Sequence, residues 1–242
     1  MKNAINVFLI FSSLLLLNTC NDDNEIVRGH ESYRYELWKL MVANNYQFDL
    51  IGTYTDRGSY PQHLGQEFDR DHQGVGGIET EGVLADIDNF LLAMPTPDIV
   101  LLGVGGNDIA GSEDDPSEPI SNISQIIDKI RDTNPNVIIF LEQIAPGRAD
   151  LMTNELQGRW ESFNSQIVTL AKKQTDSSSA VIVVDMYTDF SNDYFADEVH
   201  YNEQGAIFVA NQYFEAIQSQ FDPTQNLNIL TLGDSRVEGF RK

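Results

Sequence analysis

The chain has 242 residues, 41 % hydrophobic and 21 % charged, the balance of a soluble globular fold with a proper core. Its charge is one-sided: 37 acidic against 15 basic residues leave a formal net charge of −22, which argues against nucleic acid and anionic membrane surfaces as partners. A single cysteine excludes an intramolecular disulfide, so the core alone must hold the fold.

Residues 1–20 read as an export signal. One lysine precedes an apolar run from Ile5 to Leu17, too short to span a bilayer. Leu17-Asn18-Thr19-Cys20 resembles the lipobox of bacterial lipoproteins, which makes Cys20 the candidate lipidation site and the cell envelope the expected location. Asn18 and Thr19 stand where small residues are usual, so plain secretion with cleavage nearby stays open. Residues 21–29 form a polar, acidic tether, and residues 30–242 a single domain without repeats. Membrane contact is expected only through the lipid.

Along the domain, helices and strands alternate. "ESYRYELWKLMVANN" carries Tyr33, Leu37, Leu40 and Met41 at helical spacing, and "FDLIGT" (48–53) is a short strand. Residues 58–77 are rich in Gly, Pro and Asp and read as loop. A helix over "TEGVLADIDNFLLAM" stops before Pro95. "DIVLLGVG" (98–105) is a continuous apolar run, as in a strand buried on both faces. A loop containing "SEDDPSEP" precedes the helix "ISQIIDKIRDT" and the strand 136–144. The helix "ELQGRWESFNSQIVTLAKKQ" leads to the strand 180–187. The last helix follows Asn202, a good cap, and "FDPTQNLN" links it to a final strand at Ile229–Leu232. Strand–helix alternation with short apolar strands predicts a three-layer, doubly wound α/β sandwich around a parallel sheet.

Chemistry-bearing residues gather at predicted carboxyl ends of strands, where α/β folds place their sites. Ser235 follows Gly-Asp at the end of the last strand; taken alone it reads as a turn or helix cap more readily than as a nucleophile. The elbow G-x-S-x-G is absent, because Val237 occupies the second glycine position. Of the four histidines, His30, His63, His72 and His200, the last lies just after the fifth strand, three residues beyond Asp197. That spacing lets the carboxylate reach Nδ1 and leaves Nε2 free to take a proton, although taken alone it reads more readily as a surface Asp–His pair on a loop. His72, near Asp69 and Asp71, lacks further ligands at metal spacing and reads as part of a solvated loop. Gly105-Gly106-Asn107-Asp108 is either a tight turn or the place where the Asn107 amide meets an oxyanion. Residues 74–77, Gly-Val-Gly-Gly, are either a flexible turn or an exposed backbone donor.

Together these blocks resemble the SGNH, or GDSL, hydrolases. "GDSRVEG" is similar to that family's first block, "DHQGVGG" to its second, "GVGGND" to its third and "DEVH" to its last, while "NPNVIIFLEQIAP" resembles the fourth strand of carbohydrate-esterase-like members. The resemblance implies Ser235 as nucleophile, His200 as base, Asp197 as its orienting acid, and an oxyanion hole of the Ser235 N–H, the Gly77 N–H and the Asn107 side chain; Gly74 and Gly76 compete with Gly77. It implies no cofactor and no metal. Arg236 stands where the family often has Leu or Ile, a departure bearing on substrate preference.

The order of the blocks departs from the family: Gly, Asn, His, Ser instead of Ser, Gly, Asn, His. Moving about 15 residues from the end to the front restores it, so the chain resembles a circular permutant; the linker 221–228 can reach ~26 Å, enough to return from the last helix to the base of the sheet. By the family's strand order, a five-stranded, flavodoxin-like 2-1-3-4-5, the final segment fills a central position between "FDLIGT" and "DIVLLGVG". The expected activity is hydrolysis of O-acyl, foremost O-acetyl, esters on carbohydrate. Lipid or aryl esters are an alternative substrate class, and an inactive glycan-binding surface protein is an alternative of another kind.

Overall fold

The structure, a computed structural model, describes residues 31–111 and 116–239. The expected export signal, Cys20, the tether and His30 lie outside the described residues.

Helix α1 spans Tyr33–Ala43 and is capped by Ser32, whose hydroxyl accepts the Arg34 N–H. Strands β1 (Gln47–Ile51), β2 (Tyr54–Thr55) and β3 (Asp71–Gly74) follow, then helix α2 (Thr80–Leu92) and strand β4 (Ile99–Gly103). Helices α3 (Gly106–Gly111) and α4 (Ser117–Thr133) lead to strand β5 (Ile138–Gln143), helix α5 (Asn154–Gln174) and strand β6 (Val181–Asp185). A 3-10 turn at Asn192–Tyr194 precedes helix α6 (Glu203–Gln218), strand β7 (Asn226–Gly233) and the one-turn helix α7 (Ser235–Glu238). Asn202 caps α6 by accepting the Gln204 and Gly205 N–H groups.

The sheet is parallel except at β2, which pairs antiparallel with β3. Five parallel positions are filled as expected, but by six strands. β1 runs along the first half of β7 (Gln47↔Asn226 to Ile51↔Leu230) and β3 along the end of the same edge (Gln73↔Leu232, Gly74↔Gly233). One edge position is thus shared in tandem, interrupted by the excursion 52–70, and with β2 the sheet counts seven strands. The other edge of β7 pairs with β4 from Ile99↔Ile229 to Gly103↔Gly233, and β5 and β6 continue outward. The chain's last strand is therefore an inner one.

Each inner strand is buried on both faces, and its side chains alternate between two cores. Val100, Leu102, Ile139, Leu141, Leu230 and Leu232 pack under α2, α4 and α5, against residues such as Ile87, Ile127 and Phe163. Ile99, Leu101, Phe140, Leu227 and Ile229 point the other way, to Tyr33, Leu37 and Met41 of α1 and to Val209 and Tyr213 of α6. This period-two split explains why the strands read as unbroken apolar runs, not as alternating ones.

Two expected loops are corrected. Asp71–Gly74, inside the Gly- and Pro-rich stretch, is strand β3, recruited by the free carboxyl end of β7. Gly106–Gly111 is a short helix instead of a bare turn, and α4 begins at Ser117, within the expected loop.

Candidate active site

Strands β3, β4 and β7 end side by side, with Gly74, Gly103 and Gly233 in register, and the loops leaving them form one rim. Ser235 is the first residue of α7. Asp234 caps that turn by accepting the Arg236 N–H, and the Asp234 N–H is held by the Gly103 carbonyl. The turn's far end is fixed from α1: Ser32 Oγ and Arg34 Nε both donate to the Val237 carbonyl at 2.8 Å, and Arg34 Nη2 donates to Glu238 O. Arg34 is almost fully buried and pairs with Asp56 at 2.7 Å, which neutralises it.

His200 arrives from the loop between β6 and α6. Its Nε2 lies 2.9 Å from Ser235 Oγ, and its Nδ1 lies 2.7 Å from Asp197 Oδ2. The loop is locally braced. Asp197 Oδ1 accepts the N–H groups of Val199 and His200, and the His200 carbonyl accepts the Ala196 N–H. Burial works to raise the Asp197 carboxyl, but those two N–H donors and the His200 ring outweigh it and hold it down to about 2. It is therefore an acceptor throughout the neutral range. The side chains of His200 and Asp197 remain 21 % and 43 % exposed, so the group is open to a ligand from solvent. The arrangement can take a proton from Ser235 onto Nε2 while Nδ1–H stays held by the carboxylate.

Around this pair sit the candidate donors. Val75-Gly76-Gly77-Ile78 is a tight turn closed by Ile78 N–H on Val75 O, with Gly77 at φ +74, a backbone that glycine adopts without strain. The three glycines have different surroundings. The Gly74 N–H is spent on His72 Nδ1, a Cβ on Gly76 would lie 2.6 Å from Glu238 Oε2, and nothing stands within 4 Å of a Cβ on Gly77. Asn107 Nδ2 donates to Ile78 O at 2.8 Å, which joins the Asn107 amide to the Gly77 turn; that nitrogen carries a second N–H.

The structure brings Ser235, His200 and Asp197 into one hydrogen-bonded row and ties Asn107 to the turn holding Gly77. His72 is not in a solvated loop: it lies in β3, 4 % exposed, and burial together with the Arg34 charge pushes its ring down to about 3. Among the described residues, no group of three or more His, Cys, Asp and Glu is placed to hold a metal ion. His63 stands apart, edge-on to Trp38. Arg236 is turned inward and buried.

Several supporting residues carry little signal in the sequence. Asp108 binds the Thr80 backbone N–H and hydroxyl, so the residue after Asn107 anchors the start of α2. Glu142 is buried on β5 and accepts from the Tyr213 hydroxyl; a carboxylate inside "VIIFLEQI" is a legible sign of it. Arg34 has none, because it sits beside an ordinary apolar stripe.

Residues 43–206 match the model of the GDSL-like Lipase/Acylhydrolase family, about two thirds of the chain. The chain belongs to this family. A GDSL-like acylhydrolase cleaves esters, and this chain is a hydrolase of that kind. Solved structures agree in fold. A mutant acetyl esterase with acetate ion is 24 % identical with a TM-score of 0.69, over 78 % of this chain and 90 % of that one. A carbohydrate esterase of family 3 from Talaromyces cellulolyticus is 25 % identical with a TM-score of 0.68, over the same 78 % and 90 %. A family 3 carbohydrate esterase from Clostridium thermocellum is 24 % identical with a TM-score of 0.61, over 81 % and 90 %. No curated protein sequence matches the chain.

Proposed function

We propose that this GDSL-like acylhydrolase removes O-acyl groups, foremost O-acetyl, from carbohydrate, with Ser235, His200 and Asp197 as its catalytic residues. The observation that carries the reading is the unbroken row of two hydrogen bonds, 2.7 Å from Asp197 to His200 and 2.9 Å from His200 to Ser235. Ser235 Oγ attacks the acyl carbon as its proton passes to His200 Nε2. The oxyanion is received by the Ser235 and Gly77 N–H groups and the Asn107 amide. The sugar oxygen leaves with the proton from Nε2, and the acyl group stays on Ser235. A water then gives its proton to Nε2 and attacks, acetate departs, and Ser235 recovers its proton. The carbohydrate part is supported by the kinship in fold to the Talaromyces family 3 carbohydrate esterase. Acetate release from a panel of acetylated glycans, set against simple aryl and lipid esters with Ser235→Ala as control, tests it. Preference for long-chain lipid esters would overturn the substrate class.

The chain is further proposed to be a circular permutant of its family. Two observations support this. The family match ends at Ala206, whereas Gly233-Asp234-Ser235 lies beyond it. The residue that closes α7 also touches the start of α1: a Cβ on Gly239 would lie 2.4 Å from Ser32 Cβ.

Export with a lipid on Cys20 remains part of the proposal, supported by the apolar run before that cysteine. Labelled palmitate, incorporated by the full chain and not by Cys20→Ala, is the expected result; equal labelling would refute it.

A further inference from the structure

We infer that Arg236 is the positioning residue that fixes the histidine loop against the nucleophile turn. The inference rests on the esterase reading and adds to it a residue that acts through His200.

Arg236 directly follows Ser235, yet it points away from the open side of the site and is 9 % exposed. Its guanidinium reaches backbone carbonyls of two other loops. Nε donates to Val199 O at 2.9 Å, Nη1 to Ala145 O at 2.7 Å and Nη2 to Pro146 O at 2.9 Å. Among the described residues it makes no ion pair within 4 Å. Its charge is met by ring faces, Tyr201 at 5.2 Å and Trp160 at 5.9 Å, and by the field of buried Glu142 and Asp234. A buried guanidinium without a carboxylate on it is costly, and that cost is tolerable only where the rigid fork fits its acceptors.

The fit has a consequence for the chemistry. Val199 directly precedes His200, and its own N–H is held by Asp197. The Arg236–Val199 bond therefore lies one residue away from the Ser235–His200 bond on both sides. Together they close a small ring: Ser235, Arg236, Val199, His200 and back to Ser235. The ring limits how far Nε2 can drift from Oγ when the 2.9 Å bond between them is broken and remade during the reaction. The Ala145 and Pro146 carbonyls give the same fork a footing on the loop after β5, so the brace is fixed to the sheet.

A lysine keeps the charge but has one compact head in place of a planar fork. Arg236→Lys should lower kcat for 4-nitrophenyl acetate by about 10- to 100-fold, leaving KM within about twofold, as expected for an interaction exerted in the transition state. The deciding measurement is a double-mutant cycle with His200→Ala. Because Arg236 acts through His200, Arg236→Lys should cost less than about threefold in the His200→Ala background. Arg236→Gln, neutral and easier to bury, is measured alongside and should show the same pattern. An equal cost in both backgrounds, wild-type kcat in the lysine variant, or failure of both variants to fold would overturn the inference and leave Arg236 a fold residue. Failure of the esterase reading looks different: the wild-type enzyme would then be no faster than Ser235→Ala.

Discussion

Tyr213 of α6 donates its hydroxyl to Glu142 Oε1 of β5 at 2.6 Å, and both groups are buried beneath the rim that carries Ser235. Gly103 of the neighbouring strand leaves room for that carboxyl: a Cβ there would come within 2.7 Å of Glu142 Cδ. Burial, with the Asp234 carboxyl nearby, pushes Glu142 up from 4.5 to about 7, against the Tyr213 hydrogen bond and the Arg236 charge. Between those values the folded protein holds a proton that the unfolded chain has released, so this group's contribution to stability falls as pH rises from 4.5 to about 7. Glu142→Gln keeps the acceptor for Tyr213 and removes the titration. It should match the wild type near about pH 5 and exceed it by about 1–3 kcal/mol near about pH 8. Urea unfolding at both pH values checks this; parallel wild-type and variant curves would refute it.

His72 slopes the other way. Its ring is held down to about 3, first by burial and then by the Arg34 charge, and its Nδ1 accepts the Gly74 N–H. As pH falls below the ordinary histidine value of 6.5, the unfolded chain gains a proton that the fold refuses, and stability is lost progressively toward about 3. Wild-type stability should therefore peak on the mildly acidic side of neutral, and His72→Gln should flatten the acid limb. An unchanged acid limb in that variant would remove His72 from the account.

Ser235→Ala should fold normally and lose about 10³–10⁶-fold in ester hydrolysis, with His200→Ala close behind. Asp197→Asn should cost less, about 10²–10⁴-fold. An asparagine oxygen can still accept the Val199 and His200 N–H groups, which keeps the loop in place. Its NH2 would face Nδ1, however, and push the proton onto Nε2, where the base is needed bare. An Asp197→Asn enzyme as slow as His200→Ala would mean that the carboxylate does more than orient the ring.

Asn107→Ala should lower kcat by about 10²–10³-fold with KM little changed, the mark of a donor used in the transition state. The same substitution removes the bond to Ile78 O, so Ile78→Ala, which leaves that carbonyl in place, serves as the packing control. A variant that raises KM and spares kcat would make Asn107 a turn residue.

Much of this is legible because the strands are buried on both faces. "DIVLLGVG" and "NVIIFLEQI" have the pattern of inner strands, and the blocks at their ends fall on one rim. What escapes is decided by distant pairing. Asp71–Gly74 has the composition of a loop and is a strand because Gln73 and Gly74 meet Leu232 and Gly233 at the far end of the chain. Arg236 reads in the sequence as a residue bearing on substrate, since it stands where the family often has Leu or Ile; only the carbonyls of Val199, Ala145 and Pro146, gathered from two other loops, turn it inward. Local sequence records which faces are apolar, and it carries no mark of which backbone carbonyls will converge.

The proposed permutation makes the heaviest demand on the fold. Strand β7 separates β4 from β1 and β3, and its Leu230 and Leu232 enter one core while Leu227 and Ile229 enter the other. A chain ending before Asn226 would open a gap through both cores and leave Arg34, with its Val237 and Glu238 acceptors gone, as a buried cation half-satisfied by Asp56. It should fail to unfold cooperatively, and not merely lose activity. The converse experiment keeps every contact. Gly239 already lies against Ser32, so a short loop from Gly239 to Glu31 has little distance to span, and a new opening near Pro223 falls in the exposed turn between α6 and β7. The rearranged enzyme, with the Ser235 block first, should fold, keep wild-type kcat and KM within about threefold, and match the original in stability, since the short loop gained between α7 and α1 offsets the short α6–β7 connection that is opened. Thermal unfolding and ester hydrolysis measured side by side decide it: a rearranged chain that is insoluble or inactive, while the original remains sound, would mean that the present order of blocks is required by the fold and is not a displaced cut.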